Sequence, residues 1–234
     1  MVQFNDIPFS PRMAKALSEL KINYVFQPIF YPDGKTVYAR EALMRPIDMT
    51  ITELIYEYTR RNELYTLEVA TVFGALKEFR ARGYSELPSL NSFPCEMFSD
   101  EENRAFNEYF EGNIPKFIVE TLEYPKFDPV ISAQKRKYID LSNNLLALDD
   151  FDCGVNTVEV VDFMNPDIIK LDRSLLTGID TDVTKQKNCH HIIHTAHAKG
   201  IKIVAEGTET KGEVDCLKQL GADFFQGFYL GMPT

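Results

Sequence analysis

Eight polar residues, Glu41, Asn91, Glu120, Asp149, Asp150, Lys170, Glu206 and Gln226, fall at or near the ends of seven successive short apolar segments. Several carboxylates with an Asn make a set of hard oxygen ligands, without the Cys or His array of a softer transition-metal site, so the donor chemistry is that of Mg²⁺ or Mn²⁺. Carboxylates gathered this closely repel one another. A pair of cations would neutralise them, and two metal ions side by side are a recurring device for in-line displacement at phosphorus, which predicts a phosphodiester substrate. Lys170 lies inside the run Ile168-Ile169-Lys170-Leu171-Asp172. A Lys within a barrel strand must be paired or catalytic to tolerate burial, and an ion pair with Asp172 is its structural alternative. One acidic residue after a strand is commonly a helix cap or a solvated loop charge. Recurrence from strand to strand is what points to a shared site.

The elements that must position these residues alternate along the chain. Segments 24–30, 35–44, 87–91, 117–121, 145–149, 168–172, 201–206 and 223–227 are rich in Val, Ile, Phe, Leu and Tyr and read as strands. Between most of them lie longer amphipathic stretches. Three of these open with a capping-box pattern: Thr50 to Glu53, Ser99 to Glu102 and Thr210 to Glu213. The first connection, Tyr31-Pro32-Asp33-Gly34, is too short for the crossover parallel strands require, so the first two strands should form an antiparallel hairpin. Eight strands fit a closed barrel whose C-terminal strand ends converge on one face. An open doubly wound sheet suits the same alternation.

Composition narrows the classes. With 234 residues, 44% of them hydrophobic, and only 12 Gly and 12 Pro, the chain can bury one sizeable core. We expect one domain over residues 1–234, with 1–22 as an N-terminal extension and helix. The formal charge of −10 opposes broad contact with a nucleic-acid polymer. No apolar run reaches membrane-spanning length, and the N-terminal MVQFNDIPFSPRM lacks the basic-then-apolar order of a signal peptide, which predicts a cytoplasmic protein. Cys95, Cys153, Cys189 and Cys216 are widely spaced and read as reduced thiols.

In order along the chain, these motifs resemble those of the EAL domain family. Glu41-Ala42-Leu43, followed by Met44-Arg45, resembles the triplet that names the family, and Gln27-Pro28-Ile29 resembles its opening strand. Asn91, Glu120-Thr121-Leu122-Glu123, Asp149-Asp150-Phe151, Lys170 in its IKLD stretch, Glu206-Gly207-Thr208-Glu209 and Gln226-Gly227 continue the match. The resemblance implies an α/β fold, a TIM-like (β/α)8 barrel with an antiparallel first strand, and hydrolysis of cyclic di-GMP to linear pGpG. It further implies that Glu41, Asn91, Glu120 and Asp149 hold one Mg²⁺ or Mn²⁺, and that Asp149 bridges to a second that Asp150 also binds. A water would be the nucleophile, with Lys170 and Glu206 positioning it or taking its proton. Arg45 would contact a substrate phosphate with Gln27 and Gln226 nearby, while Glu209 would support the cluster from behind.

The match departs from the family in two places. The glycine usual after the paired Asp and Phe is replaced, giving Phe151-Asp152-Cys153-Gly154. In the family that loop orders the second metal site and contributes to dimer contacts, and Glu123 resembles the glutamate that anchors it. A member that keeps the pocket without hydrolysis would be a receptor for cyclic di-GMP or a protein-interaction module, and Asp152 is the feature that permits this alternative. The sequence also stops at Gly231-Met232-Pro233-Thr234, where the family usually continues into a last helix. The resemblance implies a homodimer as well, and a regulatory domain outside these residues.

Other clusters read as structural. His190, His194 and His197 share one helix face beside Cys189 and His191, but no HExxH pattern or ligand-spaced carboxylate accompanies them. Ser99-Asp100-Glu101-Glu102 reads as a helix start, and Tyr56, Tyr58, Tyr65, Phe73 and Phe79 read as packing rather than a nucleobase platform.

Overall fold

A computed structural model describes residues 1–110, 116–151 and 158–234. All eight apolar segments form strands. β1 (Ile22–Phe30) and β2 (Val37–Pro46) are the antiparallel hairpin that the short connection dictates. Its turn is fixed locally: the Asp33 carboxylate accepts the backbone N–H groups of Lys35 at 2.9 Å and Thr36 at 2.8 Å. β3 (Leu87–Ser92), β4 (Ile118–Thr121), β5 (Leu145–Phe151), β6 (Ile168–Leu171), β7 (Lys202–Ala205) and β8 (Phe224–Phe225) then follow in parallel and in chain order. β8 meets β1 antiparallel at Phe225 and Phe30, which closes the barrel and excludes the open sheet.

α1 (Pro11–Ser18) precedes the hairpin, capped by Ser10 and opened by a proline. α2 (Ile51–Arg60) and α3 (Leu64–Ala81) link β2 to β3. The aromatic stretch is therefore two helices, broken at Asn62, whose φ is +57°. Tyr58, Phe73 and Phe79 are buried, and Tyr56 faces solvent. α4 (Asp100–Phe110), α5 (Pro129–Leu141), α6 (Val158–Met164), α7 (Arg173–Leu176), α8 (Val183–Ala198) and α9 (Lys211–Leu220) complete the outer layer among the described residues. Residues 226–234 form no helix, and Thr234 exchanges both backbone hydrogen bonds with Phe26 of β1.

Two of the three capping boxes form as expected, at Thr50/Glu53 and Thr210/Glu213. At Ser99 the arrangement differs because Tyr65 of α3 intervenes. The Ser99 N–H donates to the Tyr65 hydroxyl at 2.8 Å, and the Glu102 carboxylate accepts from that hydroxyl at 2.6 Å and from the Ser99 hydroxyl.

Inside the barrel a layer of buried side chains, Ile29, Ala39, Ile118, Ala147, Ile168, Val204 and Phe224, forms a plug. Because side chains alternate along a strand, the next inward-facing position lies two residues on. From Ala39, Ile118, Ala147, Ile168, Val204 and Phe224 that step reaches Glu41, Glu120, Asp149, Lys170, Glu206 and Gln226. The polar residues thus form one layer above an apolar floor. Among the described residues no helix is long and apolar enough to cross a membrane, and Cys95, Cys189 and Cys216 are free thiols.

Candidate active site

The Lys170 side chain, 2% exposed, stands at the centre of the polar layer. Its Nζ lies 2.6 Å from Glu120 Oε2, 2.6 Å from Glu206 Oε1, 2.9 Å from Asp149 Oδ1 and 3.4 Å from Glu41 Oε2. Asp172 caps α7, accepting the Ser174 N–H at 2.8 Å, while Lys170 pairs with these four carboxylates. Four carboxylates delivered by β2, β4, β5 and the end of β7 therefore share one ammonium.

Neutral amides complete the arrangement. Gln226 Nε2 donates to Glu41 Oε2 at 2.6 Å, and Asn91 Nδ2 lies 3.2 Å from both Glu41 Oε1 and the Ala42 carbonyl. With its nitrogen committed to those contacts, Asn91 offers its amide oxygen to a cation. Among the described residues the buried Gln226 Oε1 has no hydrogen-bond partner. Ser89, the inward residue before Asn91 on β3, donates to Glu120. It was not singled out in the sequence, although the two-residue period of the strand points to it.

Crowded negative charge shows in the electrostatics. Burial, reinforced by the charges of Glu41 and Asp149, pushes the Glu120 carboxyl up to about 8. Burial and the neighbouring Asp149 push Asp150 up to about 6. Glu206 is raised well above the usual carboxylate range, again by burial, with Lys170 opposing. For Glu41, the Lys170 charge and the amide hydrogen bonds outweigh burial and hold the carboxyl low. Burial favours neutral Lys170, but the surrounding carboxylates raise its pKa well above the ordinary lysine value.

Oxygens of Asp149, Asp150 and Glu206 lie within 4.8 Å of one another. This all-oxygen set fits a hard divalent cation. Asp150 has a left-handed backbone, φ +48°, where the β5–β6 register shifts. Asp is among the few non-glycine residues that tolerate that conformation.

A cavity of about 280 Å³ opens over the layer, lined by Gln27, Glu41, Asp149, Lys170, Arg173, Glu206, Glu209 and Gln226 among others. Gly207 (φ +65°) and Gly227 shape its wall. A Cβ on Gly207 would lie 2.7 Å from Arg173 Cβ, and one on Gly227 would collide with the Thr208 backbone. Arg173, which was not singled out in the sequence, pairs through both terminal guanidinium nitrogens with Glu209, at 2.6 Å for Nη2. Its position just after β6 is the only signal, and one shared with any helix-opening charge. Arg45 is exposed at the end of β2 and donates to the Met44 carbonyl at 3.1 Å. It does not line the cavity. Glu123 is near enough to raise the Asp150 pKa. The segment it was expected to anchor, with Asp152 and Cys153, lies outside the described residues.

Other features do not compete. A larger space of about 600 Å³ near α2 is lined by exposed charges that pair locally, as Lys21 with Asp48 and Arg61 with Glu57. His197 bonds Asp223 at 2.8 Å, and the His190 and His194 rings stack.

The family profile of the EAL domain matches residues 12–233. This chain belongs to the EAL domain family. Among curated relatives of this EAL domain, the cyclic di-GMP phosphodiesterase TpdA of Vibrio parahaemolyticus is 31% identical over 91 residues, 39% of this chain and 16% of the relative. The biofilm architecture maintenance protein MbaA of Vibrio cholerae is 25% identical over 93% of this chain and 29% of its own length. The chain thus spans less than a third of either relative. A standalone EAL protein from Vibrio cholerae O395, solved in its c-di-GMP-bound form, superposes with a TM-score of 0.80 at 22% identity, covering 92% of this chain and 93% of that one. The manganese and cyclic di-GMP complex of Klebsiella pneumoniae BlrP1 gives a TM-score of 0.77 at 22% identity, over 92% of this chain and 56% of that one. At such identities these structures establish the barrel fold.

Proposed function

We propose that this EAL domain is a divalent-metal-dependent phosphodiesterase that hydrolyses one phosphodiester bond of cyclic di-GMP to give linear pGpG. The observation that carries the reading is the sharing of the Lys170 ammonium by Glu41, Glu120, Asp149 and Glu206 at one end of the barrel. A cluster held together by a protein cation is one that a metal cation can also satisfy. Glu41, Asn91, Glu120 and Asp149 would hold one Mg²⁺ or Mn²⁺, and Asp149 with Asp150 a second. When bound, the ions supply Lewis acidity and lower the pKa of water.

The chain's own residues supply the rest. Lys170 orients the attacking water, and Glu206, 2.6 Å from Lys170, takes its proton. The water oxygen bonds to phosphorus as the bond to the 3′-oxygen breaks, that oxygen takes a proton from bulk water to leave as a hydroxyl, and Glu206 returns its proton to solvent. Gln27 and Gln226, which line the cavity, bind the nucleotide, Arg45 reaches a phosphate from outside it, and Glu209 holds Arg173 at the cavity wall. Relatives named as cyclic di-GMP phosphodiesterases support this reading. The proposal extends to a cytoplasmic homodimer, for which Val130, Tyr138 and Leu141 of α5 and Phe163 of α6 supply exposed apolar side chains.

The test is incubation of the purified chain with cyclic di-GMP and Mg²⁺ or Mn²⁺, alongside Glu41→Ala and a chelator control. Linear pGpG that vanishes in both controls is the expected result. Nucleotide binding without product would make the domain a receptor, and neither binding nor product would leave a protein-interaction role.

A further inference from the structure

Behind the strand end that carries Asn91, a buried ion pair joins two helices. Glu68 of α3 and Lys135 of α5 are 3% and 6% exposed, and both reach the backbone just after β3. Lys135 Nζ lies 3.1 Å from Glu68 Oε1, 2.6 Å from Ser92 Oγ and 2.7 Å from the Phe93 carbonyl. Glu68 accepts from Ser92 Oγ at 2.5 Å and from the Phe93 N–H at 2.8 Å. Ser132, also on α5, donates to the Pro94 carbonyl at 3.0 Å, and the Leu122 N–H to the Ser92 carbonyl at 3.1 Å. The polar groups of Ser92 and Phe93 are thereby fixed in one arrangement.

A buried ion pair is weak evidence of a stability role, because apolar residues of similar volume join helices as well or better. Apolar residues cannot bind both the N–H and the C=O of Phe93. Asn91 is two residues earlier, and its side chain projects to the opposite face of β3 from Ser92, toward Glu41. We infer that Glu68 and Lys135 are positioning residues for Asn91: by pinning residues 92 and 93 they aim the Asn91 amide at the carboxylate cluster and so set its divalent-cation affinity. This rests on the reading of Asn91 as a metal ligand.

The test is Mn²⁺ calorimetry on wild type, Asn91→Ala, the double variant Glu68→Leu/Lys135→Met, and the triple combination. Apolar replacement should lower the thermal midpoint of the metal-free protein, because the Phe93 N–H and C=O lose their partners, while leaving it folded at the temperature of the titration. Mn²⁺ affinity should fall roughly 10- to 100-fold, the range for loss of a residue that orients a ligand. Adding Asn91→Ala should then cost little more, because both changes remove the same contact. Unchanged affinity in the double variant, or losses that simply multiply in the triple variant, would overturn the inference. If the double variant does not fold, Glu68→Gln serves instead, since its amide nitrogen cannot accept a hydrogen bond. Amide exchange at Phe93 should accelerate and Mn²⁺ affinity weaken at least about threefold, whereas faster exchange with unchanged affinity would overturn the proposal. A wild-type chain that binds no Mn²⁺ overturns the metal reading and the positioning role together; wild-type binding that the variants leave unchanged overturns the positioning role alone.

Discussion

Gln226 Nε2 lies 2.6 Å from Glu41 Oε2, so β8 reaches past β1 to hold a carboxylate of β2. The other Glu41 oxygen faces Asn91 at 3.2 Å. Two neutral donors orient this carboxylate without neutralising it. Gln226→Ala should weaken Mn²⁺ binding by roughly tenfold, as removal of an orienting partner does, with little change in the unfolding midpoint. Calorimetry that finds wild-type affinity in the variant would remove Gln226 from the site.

Lys170→Met tests the central ammonium. Removing one partner from a buried charge cluster costs about 3–5 kcal/mol, so the metal-free variant should unfold at markedly lower urea. Mg²⁺ or Mn²⁺ should raise its midpoint by more than it raises that of wild type, because the ion replaces a charge the wild type already has. Equal shifts in urea titrations would show that ion and ammonium do not serve the same carboxylates.

Asp223 provides a pH handle away from the site. Burial works to raise its pKa, but hydrogen bonds from Lys202, His197 and the Ile203 N–H outweigh it and hold the carboxyl below its ordinary value. A depressed folded-state pKa gives stability that is present above the unfolded value, roughly pH 4, and lost as pH falls through the folded value. The stability difference between wild type and Asp223→Asn should be constant near neutrality and shrink below about pH 4. Parallel urea midpoints down to pH 2.5 would contradict this.

Thr210→Ala removes a capping box whose glutamate has further duties. Glu213 also accepts from the Glu209 N–H at 2.9 Å and the Gly178 N–H at 3.0 Å. The variant should lose about 1 kcal/mol by urea denaturation. A loss well above that would mean the Glu209 segment shifts with the cap.

The fold was legible because its determinants are local. Eight short apolar runs and one four-residue turn give the strands and the antiparallel hairpin, and the boxes at Thr50 and Thr210 are read from residues three apart; closure into a barrel rather than an open sheet depends on the Phe225–Phe30 pairing and was implied only by the family resemblance. The polar layer was legible through strand ends. What escaped the sequence depends on long-range partners: Glu68 and Lys135 are 67 positions apart, and Tyr65 displaced the expected cap at Ser99 from 34 positions away. Arg173 escaped for another reason, since a charge opening a helix resembles any solvated one.

The Lys170 ammonium also bears on how the chain is made. By carrying a counter-ion on one of its own side chains, the polypeptide can bring its acidic residues together before any dissolved ion arrives. In zinc fingers, by contrast, ion capture and folding are a single event. On the proposed reading, scarcity of divalent ions would then limit how many folded molecules are working at a given moment without preventing the chain from folding.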